Sequence, residues 1–188
     1  DHRKLNVAPG VVSLVGQSGG VLLYANHILA DRGIQIGKLI TSGNEVGLNC
    51  ADYIAYLAQD DATRVIFCYL ESIKDLGKFK AACALARDNG KPVIVFKIGA
   101  SEEGRKAAMT HTGALAGSSA VFDAVLQDVG VLRADSLDEA VEMIELVVHL
   151  GVPIGFNIGA MSLSGAYRGI LVDAAAGSGM KFPPLADD

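Results

Sequence analysis

The sequence predicts an α/β protein: a doubly wound parallel sheet with helices on both faces, plus the start of a second unit of the same kind. Three observations predict it. Short runs rich in Val, Ile and Leu alternate with longer amphipathic stretches. The short runs are apolar at consecutive positions, as in strands buried on both faces. Glycine or a capping residue punctuates nearly every junction. With 188 residues, 51% of them hydrophobic and 20% charged, the chain can bury a sizeable core. That length suits one ordinary domain and part of another, and the composition argues against disorder.

The elements follow in order. Val11 to Val15 is a buried-strand run, stopped by Gly16. Residues 19–32 read as a helix ended by Gly33. Ile36 to Thr41 is the second strand, and Asn49 to Gln59 a helix with Ile54, Leu57 and Ala58 on one side. Arg64 to Leu70 (RVIFCYL) is the third strand, and Leu76 to Asn89 a helix closed by Gly90. Pro92 to Ile98 (PVIVFKI) is the fourth strand, Ser119 to Val129 a helix, and Val131 to Arg133 a short strand. Ser136 to Leu150 is a helix opened by the capping box Ser136-Leu-Asp-Glu139. Helical crossovers of this length fit a flavodoxin-like or Rossmann-like domain over residues 1–150. Its functional loops then lie at the carboxyl ends of the strands: 16–20, 42–47, 71–75 and 99–118.

Residues 151–188 read as a partial second flavodoxin-like unit. Ile154 to Leu163 is strand-like, and Ser164-Gly165 opens a helix running to about Ala176. The interval from Ser18 to Gly33 equals that from Ser164 to Gly179, 15 residues in each case, which hints at two related strand–SG–helix modules.

Charge and composition exclude some classes. Lys plus Arg is 16 and Asp plus Glu is 21, a net charge of −5. No basic surplus is present to neutralise a nucleic-acid backbone. The longest uncharged run, Leu146 to Tyr167, contains His149, Pro153 and Asn157 and reads as helix end, loop and strand rather than a membrane span. Cys50, Cys68 and Cys83 are odd in number with no CxxC spacing, so a disulfide framework or zinc knuckle is not expected and a reducing cytoplasm fits. Metal-ligand spacing is absent too. Asp1-His2-Arg3-Lys4 opens no apolar leader, and the missing initiator Met reads as part of a longer protein.

Several segments carry candidate chemistry. Gly16-Gln17-Ser18-Gly19-Gly20 lies between a strand and a helix. Small residues let backbone N–H groups and the helix dipole approach an anion, although the same turn can simply pack helix on strand. These residues also spell GxSxG, the nucleophile elbow of hydrolases, with Ser18, Glu71 and His111 as a possible triad. His111 stands in Met109-Thr-His-Thr-Gly-Ala-Leu-Ala-Gly117, a small-residue segment after the fourth strand. An imidazole with a near-neutral pKa is available there as a nucleophile, or as a mere helix cap. His27 and His149, inside helices, read as surface or cap residues. Glu71, closing the third strand, can accept the Nδ1 proton of His111 and leave Nε2 to attack, or can be a solvated acid beside Lys74 or Arg105. Asn44 and Glu45 read as a turn or as a polar wall of the site.

Taken together, GQSGG (16–20), SGNEVGLNCADY (42–53), DDATRVIFCYLE (60–71), KPVIVFKIG (91–99) and SEEGRKAAMTHTGALAG (101–117) resemble the NDP-forming acyl-CoA synthetases. That superfamily includes succinyl-CoA synthetase and ADP-forming acetyl-CoA synthetase. The resemblance runs over roughly residues 7–135 and is most specific in THTGALAG. It implies that His111 is a phosphohistidine, that Glu71 orients it, and that Ser18, Gly19 and Gly20 hold the phosphate. It also implies a second phosphate-facing helix start at Ser164, Gly165 and Ala166, with Asn44, Thr112 and Gly113 as possible walls. The implied activity is that of an acid–thiol ligase interconverting acyl-CoA, ADP and phosphate with acid, CoA and ATP, with Mg²⁺ accompanying the nucleotide in a domain outside this chain. The implied partners are a small carboxylic acid or acyl-CoA, a CoA-binding domain and an ATP-grasp domain or subunit, in an oligomer, with no nucleic acid or membrane. The chain alone is then expected not to complete the overall reaction. Two positions depart from the pattern: Gly16 stands where Ser is usual, and Thr110 where Ser is frequent. The alternative reading is a non-catalytic module that binds a phosphate-bearing ligand through Ser18–Gly20.

Overall fold

A computed structural model describes residues 7–99, 103–104 and 119–184. The chain divides into two compact units, 1–151 and 152–188. The first contains five strands: β1 (Val7–Gly16), β2 (Ile36–Thr41), β3 (Val65–Leu70), β4 (Val93–Lys97) and β5 (Leu132–Ala134). Its helices are α1 (Gly19–Asp31), α2 (Cys50–Ala58), α3 (Leu76–Asp88), α4 (Ser119–Asp128) and α5 (Leu137–Leu150). All strand pairs are parallel, in the order β2-β1-β3-β4-β5, which is the flavodoxin-like doubly wound arrangement. Every predicted strand and helix of this unit is present, with ends shifted by a residue or two except at β1. That strand begins at Val7 and runs in irregular register against β2 before Ser13.

β3 is central, and all six of its residues are buried. Its side chains alternate between two cores. Val65, Phe67 and Tyr69 join Val12, Leu14 and Ile94 under α1 and α5. Ile66, Cys68 and Leu70 join Val15, Val93 and Val95 under α2, α3 and α4, where Ile54, Leu57, Phe79 and Leu126 close the layer. Apolar residues at successive positions are therefore required, one set for each helix layer. The α5 capping box forms with a variation. Ser136 Oγ accepts from the Glu139 N–H at 3.1 Å, while the Glu139 carboxylate accepts from the Asp135 N–H at 2.6 Å rather than from the cap residue itself.

The second unit departs from expectation. Its helix α6 (Gly165–Ala176) lies as predicted, but the strand expected over 154–163 reduces to one parallel bridge between Asn157 and Lys181. The Ile158 N–H donates to Lys181 O at 2.9 Å, and the Lys181 N–H to Phe156 O at 2.7 Å. A strand requires a ladder of backbone partners, and the described residues of this unit supply only that bridge. Ile154, Met161 and Leu163 are fully exposed, and of α6 only Ala175 is buried.

Just before β3, against the middle of β1, lies a partly buried polar chain. Thr63 Oγ1 donates to Asp60 Oδ2 at 2.5 Å, so the 2.8 Å bond between Ser13 Oγ and Thr63 Oγ1 has Ser13 as donor. Lys38 Nζ donates to the same Asp60 oxygen at 2.5 Å. The Lys38 bond, followed by that from Thr63, holds the Asp60 carboxyl below its ordinary value of 3.8. A lowered pKa stabilises the fold fully above the ordinary aspartate range, and the contribution fades as pH falls through the lowered value. Asp60→Asn is expected to cost about 1–2 kcal/mol at neutral pH. It should also flatten the loss of stability below about pH 4. Urea unfolding from pH 7 to pH 3 measures both effects, and an unchanged pH slope would contradict them.

Candidate functional site

The site is built by register. Gly16 pairs with both Thr41 and Tyr69, and Leu70 pairs with Lys97. The loops leaving β1, β2, β3 and β4 therefore emerge from adjacent rungs onto one rim. The crevice lies between β1 and β3, where successive crossovers change faces, and ligands of doubly wound sheets bind at such a switch point.

The 16–20 turn is fixed by its neighbours. A Cβ on Gly16 would lie 2.7 Å from Tyr69 O and 2.9 Å from Tyr69 Cβ, so glycine there reflects the close approach of β1 to β3. The Ser42 N–H donates to Gly16 O at 2.9 Å, which ties the second loop to the first. The Gln17 side chain crosses to the third loop. Its Oε1 accepts from the N–H groups of Glu71 at 2.6 Å and Ser72 at 3.1 Å, and its Nε2 donates to Ser72 O at 3.0 Å. Sequence reasoning did not single out Gln17. The available signal was one long amide side chain in a turn otherwise made of small residues.

Ser18 is the α1 N-cap, extended at φ −108° and ψ 114°, and its Oγ accepts from the Val21 N–H at 3.5 Å. That relaxed backbone does not match a nucleophile elbow, which holds its serine on a sharp strained turn, and the sheet order is flavodoxin-like. The hydrolase reading is thereby corrected. Glu71 is 4% exposed, so it is a buried carboxylate rather than a solvated one. Burial, and after it the negative charge of Glu71, pushes the Tyr69 phenol up to about 12. Ser72 Oγ is buried without a hydrogen-bond partner among the described residues.

The helix starts differ in charge. α2 begins with three acidic or amide groups on its free N–H donors. Asn49 Oδ1 accepts from the Ala51 N–H at 2.9 Å, and Glu45 Oε1 accepts from the Cys50 N–H at 2.8 Å. The Asp52 carboxylate takes the Asn49 N–H at 2.9 Å, and that bond, then Lys78, lowers its pKa. α3 has Asp75 as its cap, and α5 has Asp138 and Glu139 in its first turn. Only α1 and α6, among the helices whose caps are described, bring no carboxylate to their start. Ser164 makes no side-chain cap bond, and with Ser162, Gly165, Arg168 and Phe182 it lines a pocket of about 450 Å³ within the second unit. These two bare starts are the ones assigned to phosphate by the sequence reading, at Ser18–Gly20 and Ser164–Ala166.

Other assignments are redistributed. Glu45 belongs to the turn rather than to a wall: it sits at φ +56° with its carboxylate accepting from Ser42 Oγ at 3.0 Å as well as from α2. Asn44 is exposed on the same loop. His111, Thr112 and Gly113, together with Arg105 and Thr110, lie outside the described residues. Among the described residues no three His, Cys, Asp or Glu side chains group as metal ligands, and no helix is long and apolar enough to cross a membrane.

A family model described as the succinyl-CoA ligase-like flavodoxin domain matches residues 9–147. The chain belongs to that family. It is 36% identical over 177 residues to the alpha subunit of an ADP-forming acetate–CoA ligase I of Pyrococcus furiosus, covering 93% of this chain and 38% of that one. It is 33% identical over 177 residues to a trans-feruloyl-CoA synthase from an unknown prokaryotic organism, covering 94% of this chain and 25% of that protein. Among solved structures it resembles a dinucleotide-forming acetyl-coenzyme A synthetase of Ca. Korarchaeum cryptofilum, in complex with phosphate and ADP. The TM-score is 0.84 at 28% identity, over 93% of this chain and 38% of that one. The chain thus spans between a quarter and two fifths of the length of these relatives. As a family member it shares its fold with acid–CoA ligases.

The contact between Gly16 and Tyr69 yields a stability prediction. Gly16→Ala is expected to cost roughly 1–3 kcal/mol, because the new methyl meets backbone that cannot rotate away. Gly20→Ala, with nothing within 4 Å of its Cβ position, serves as the control. Denaturant unfolding of both variants measures the difference, and equal stabilities would contradict it.

Proposed function

We propose that this chain is the phosphohistidine core of an NDP-forming acid–CoA ligase. The observation that carries the reading is the α1 start: a helix N-terminus without a carboxylate, pinned by Gln17 beside the buried Glu71 at the sheet's switch point. Such a start favours a nearby anion by about 0.3–1 kcal/mol, and more where the site is partly buried. The unit over 1–150 carries this chemistry, and 151–188 opens a second flavodoxin-like unit.

Three steps follow. Inorganic phosphate attacks the acyl carbon of an acyl-CoA, releasing CoA and leaving an acyl phosphate. Nε2 of His111 then attacks the phosphorus, breaking the bond to the acyl oxygen and releasing the carboxylic acid. ADP finally takes the phosphoryl group from His111, forming ATP, and the sequence also runs in reverse. Glu71 accepts the Nδ1 proton of His111 and fixes the tautomer that leaves Nε2 free. Ser18, Gly19 and Gly20 hold the phosphate through backbone donors, Ser164, Gly165 and Ala166 form a second cradle, and Asn44, Thr112 and Gly113 line the path. The small residues around His111 suit transfer between two sites. Mg²⁺ accompanies the nucleotide on an ATP-grasp partner, and a CoA-binding domain supplies the thiol. The assembly is an oligomer in the reducing cytoplasm, consistent with the three buried free cysteines.

The test uses the complete ligase assembled from this chain and its nucleotide-binding partner. Incubation with γ-32P-ATP is expected to give an acid-labile phosphoenzyme, and His111→Asn to abolish it. Glu71→Gln is expected to slow labelling by roughly 10- to 100-fold. Acid-labile label that persists in His111→Asn would overturn the reading. Phosphate binding with no phosphoenzyme would favour a non-catalytic ligand-binding module instead.

A further inference from the structure

We infer that Gln17 is a positioning residue that sets the spacing between the Ser18–Gly20 anion cradle and the Glu71 carboxylate. The inference rests on the phosphohistidine reading above, and it assigns to Gln17 a role that fold alone does not require. The backbone ladder between β1 and β3 ends at the Gly16–Tyr69 pair. One rung further the two chains part, because α1 begins at Gly19 while residues 71–75 lead away toward α3. The Gln17 N–H still reaches Tyr69 O, at a long 3.4 Å. β4 serves Leu70, whose carbonyl accepts from the Ile98 N–H at 3.1 Å.

The Gln17 amide extends the ladder past its end. It offers a carbonyl acceptor beside an N–H donor, as paired peptide groups do, and both are used on Glu71 and Ser72. Two successive N–H groups converging on one oxygen form a concave nest, a local backbone shape that ordinary strand pairing does not impose. That nest orients the backbone from which the Glu71 side chain departs. Gln17 is also the residue immediately before the α1 cap Ser18. A single side chain therefore couples the two halves of the proposed site. One is the cradle that holds the phosphoryl group, and the other is the carboxylate that orients its acceptor. Displacements near 1 Å between reacting groups cost about a hundredfold in rate, so such coupling has a kinetic consequence.

The experiment measures phosphoenzyme formation in the complete ligase, per folded enzyme, with phosphate KM and kcat resolved. Gln17→Met keeps side-chain length and removes the three side-chain hydrogen bonds. It is expected to lower kcat by roughly 10- to 100-fold. In a Glu71→Gln background the same change should have less than about threefold further effect, because both substitutions act on one group. Gln17→Asn keeps the amide on a shorter stem. It is expected to fold even if Gln17→Met does not, and still to be slowed by about tenfold or more. Full-rate Gln17→Asn, or effects of Gln17→Met and Glu71→Gln that simply multiply, would overturn the inference while leaving the phosphohistidine intact. Failure of the unsubstituted ligase to form a phosphoenzyme would sink the underlying reading and this one with it.

Discussion

Parallel register is the constraint from which the site follows. Five strands running the same way put all their carboxyl ends on one rim, and the pairing of Gly16 with Thr41 and Tyr69 aligns three loops at one rung. The order β2-β1-β3-β4-β5 then places α1 on one face of the sheet and α2 on the other, opening a crevice between β1 and β3. The crevice needs a rigid floor, and the two cores supply it by burying every residue of β3. Because Gly16 lies against Tyr69 with no room for a side chain between them, the turn that follows begins close to β3. Only a side chain leaving that turn at once, as that of Gln17 does, can continue the contact beyond the end of the ladder.

The first unit was legible in the sequence because its signals were local and redundant. RVIFCYL is apolar at successive positions, Gly33 and Gly90 adopt the positive φ that ends a helix, and Ser136 and Glu139 mark a start. Ser18 and Glu71 could be placed on one rim from topology alone. The functions of Gln17 and Glu45 could not. Each acts through backbone groups brought near by folding: Gln17 on residues more than fifty positions away, Glu45 on a helix start reached only because its own backbone turns left-handed. The strand expected over 154–163 failed for the opposite reason. Its composition suits a strand, but a strand is made by partners, and a composition cannot say whether they are present.

A buried carboxylate beside an anion cradle is electrostatically unfavourable if both charges face each other directly. Glu71 is nearly inaccessible, and after burial its negative charge helps push up the nearby Tyr69 phenol. A phosphate at the bare α1 start would be repelled by that charge unless a group able to carry positive charge stood between them. The imidazole of the proposed phosphohistidine would meet that need: donating from Nδ1 to the carboxylate and presenting Nε2 to phosphorus, it would let the carboxylate favour the cationic character that develops as an N–P bond forms. The absence of carboxylates from the start of α1 and their presence at the starts of α2, α3 and α5 fit the same logic. On the proposed function, negative side chains cap the starts that receive no ligand and are kept from the one that accepts phosphate. Gln17 fits the proposed scheme because a neutral amide can bind the Glu71–Ser72 nest without adding a further negative charge where a phosphate would sit.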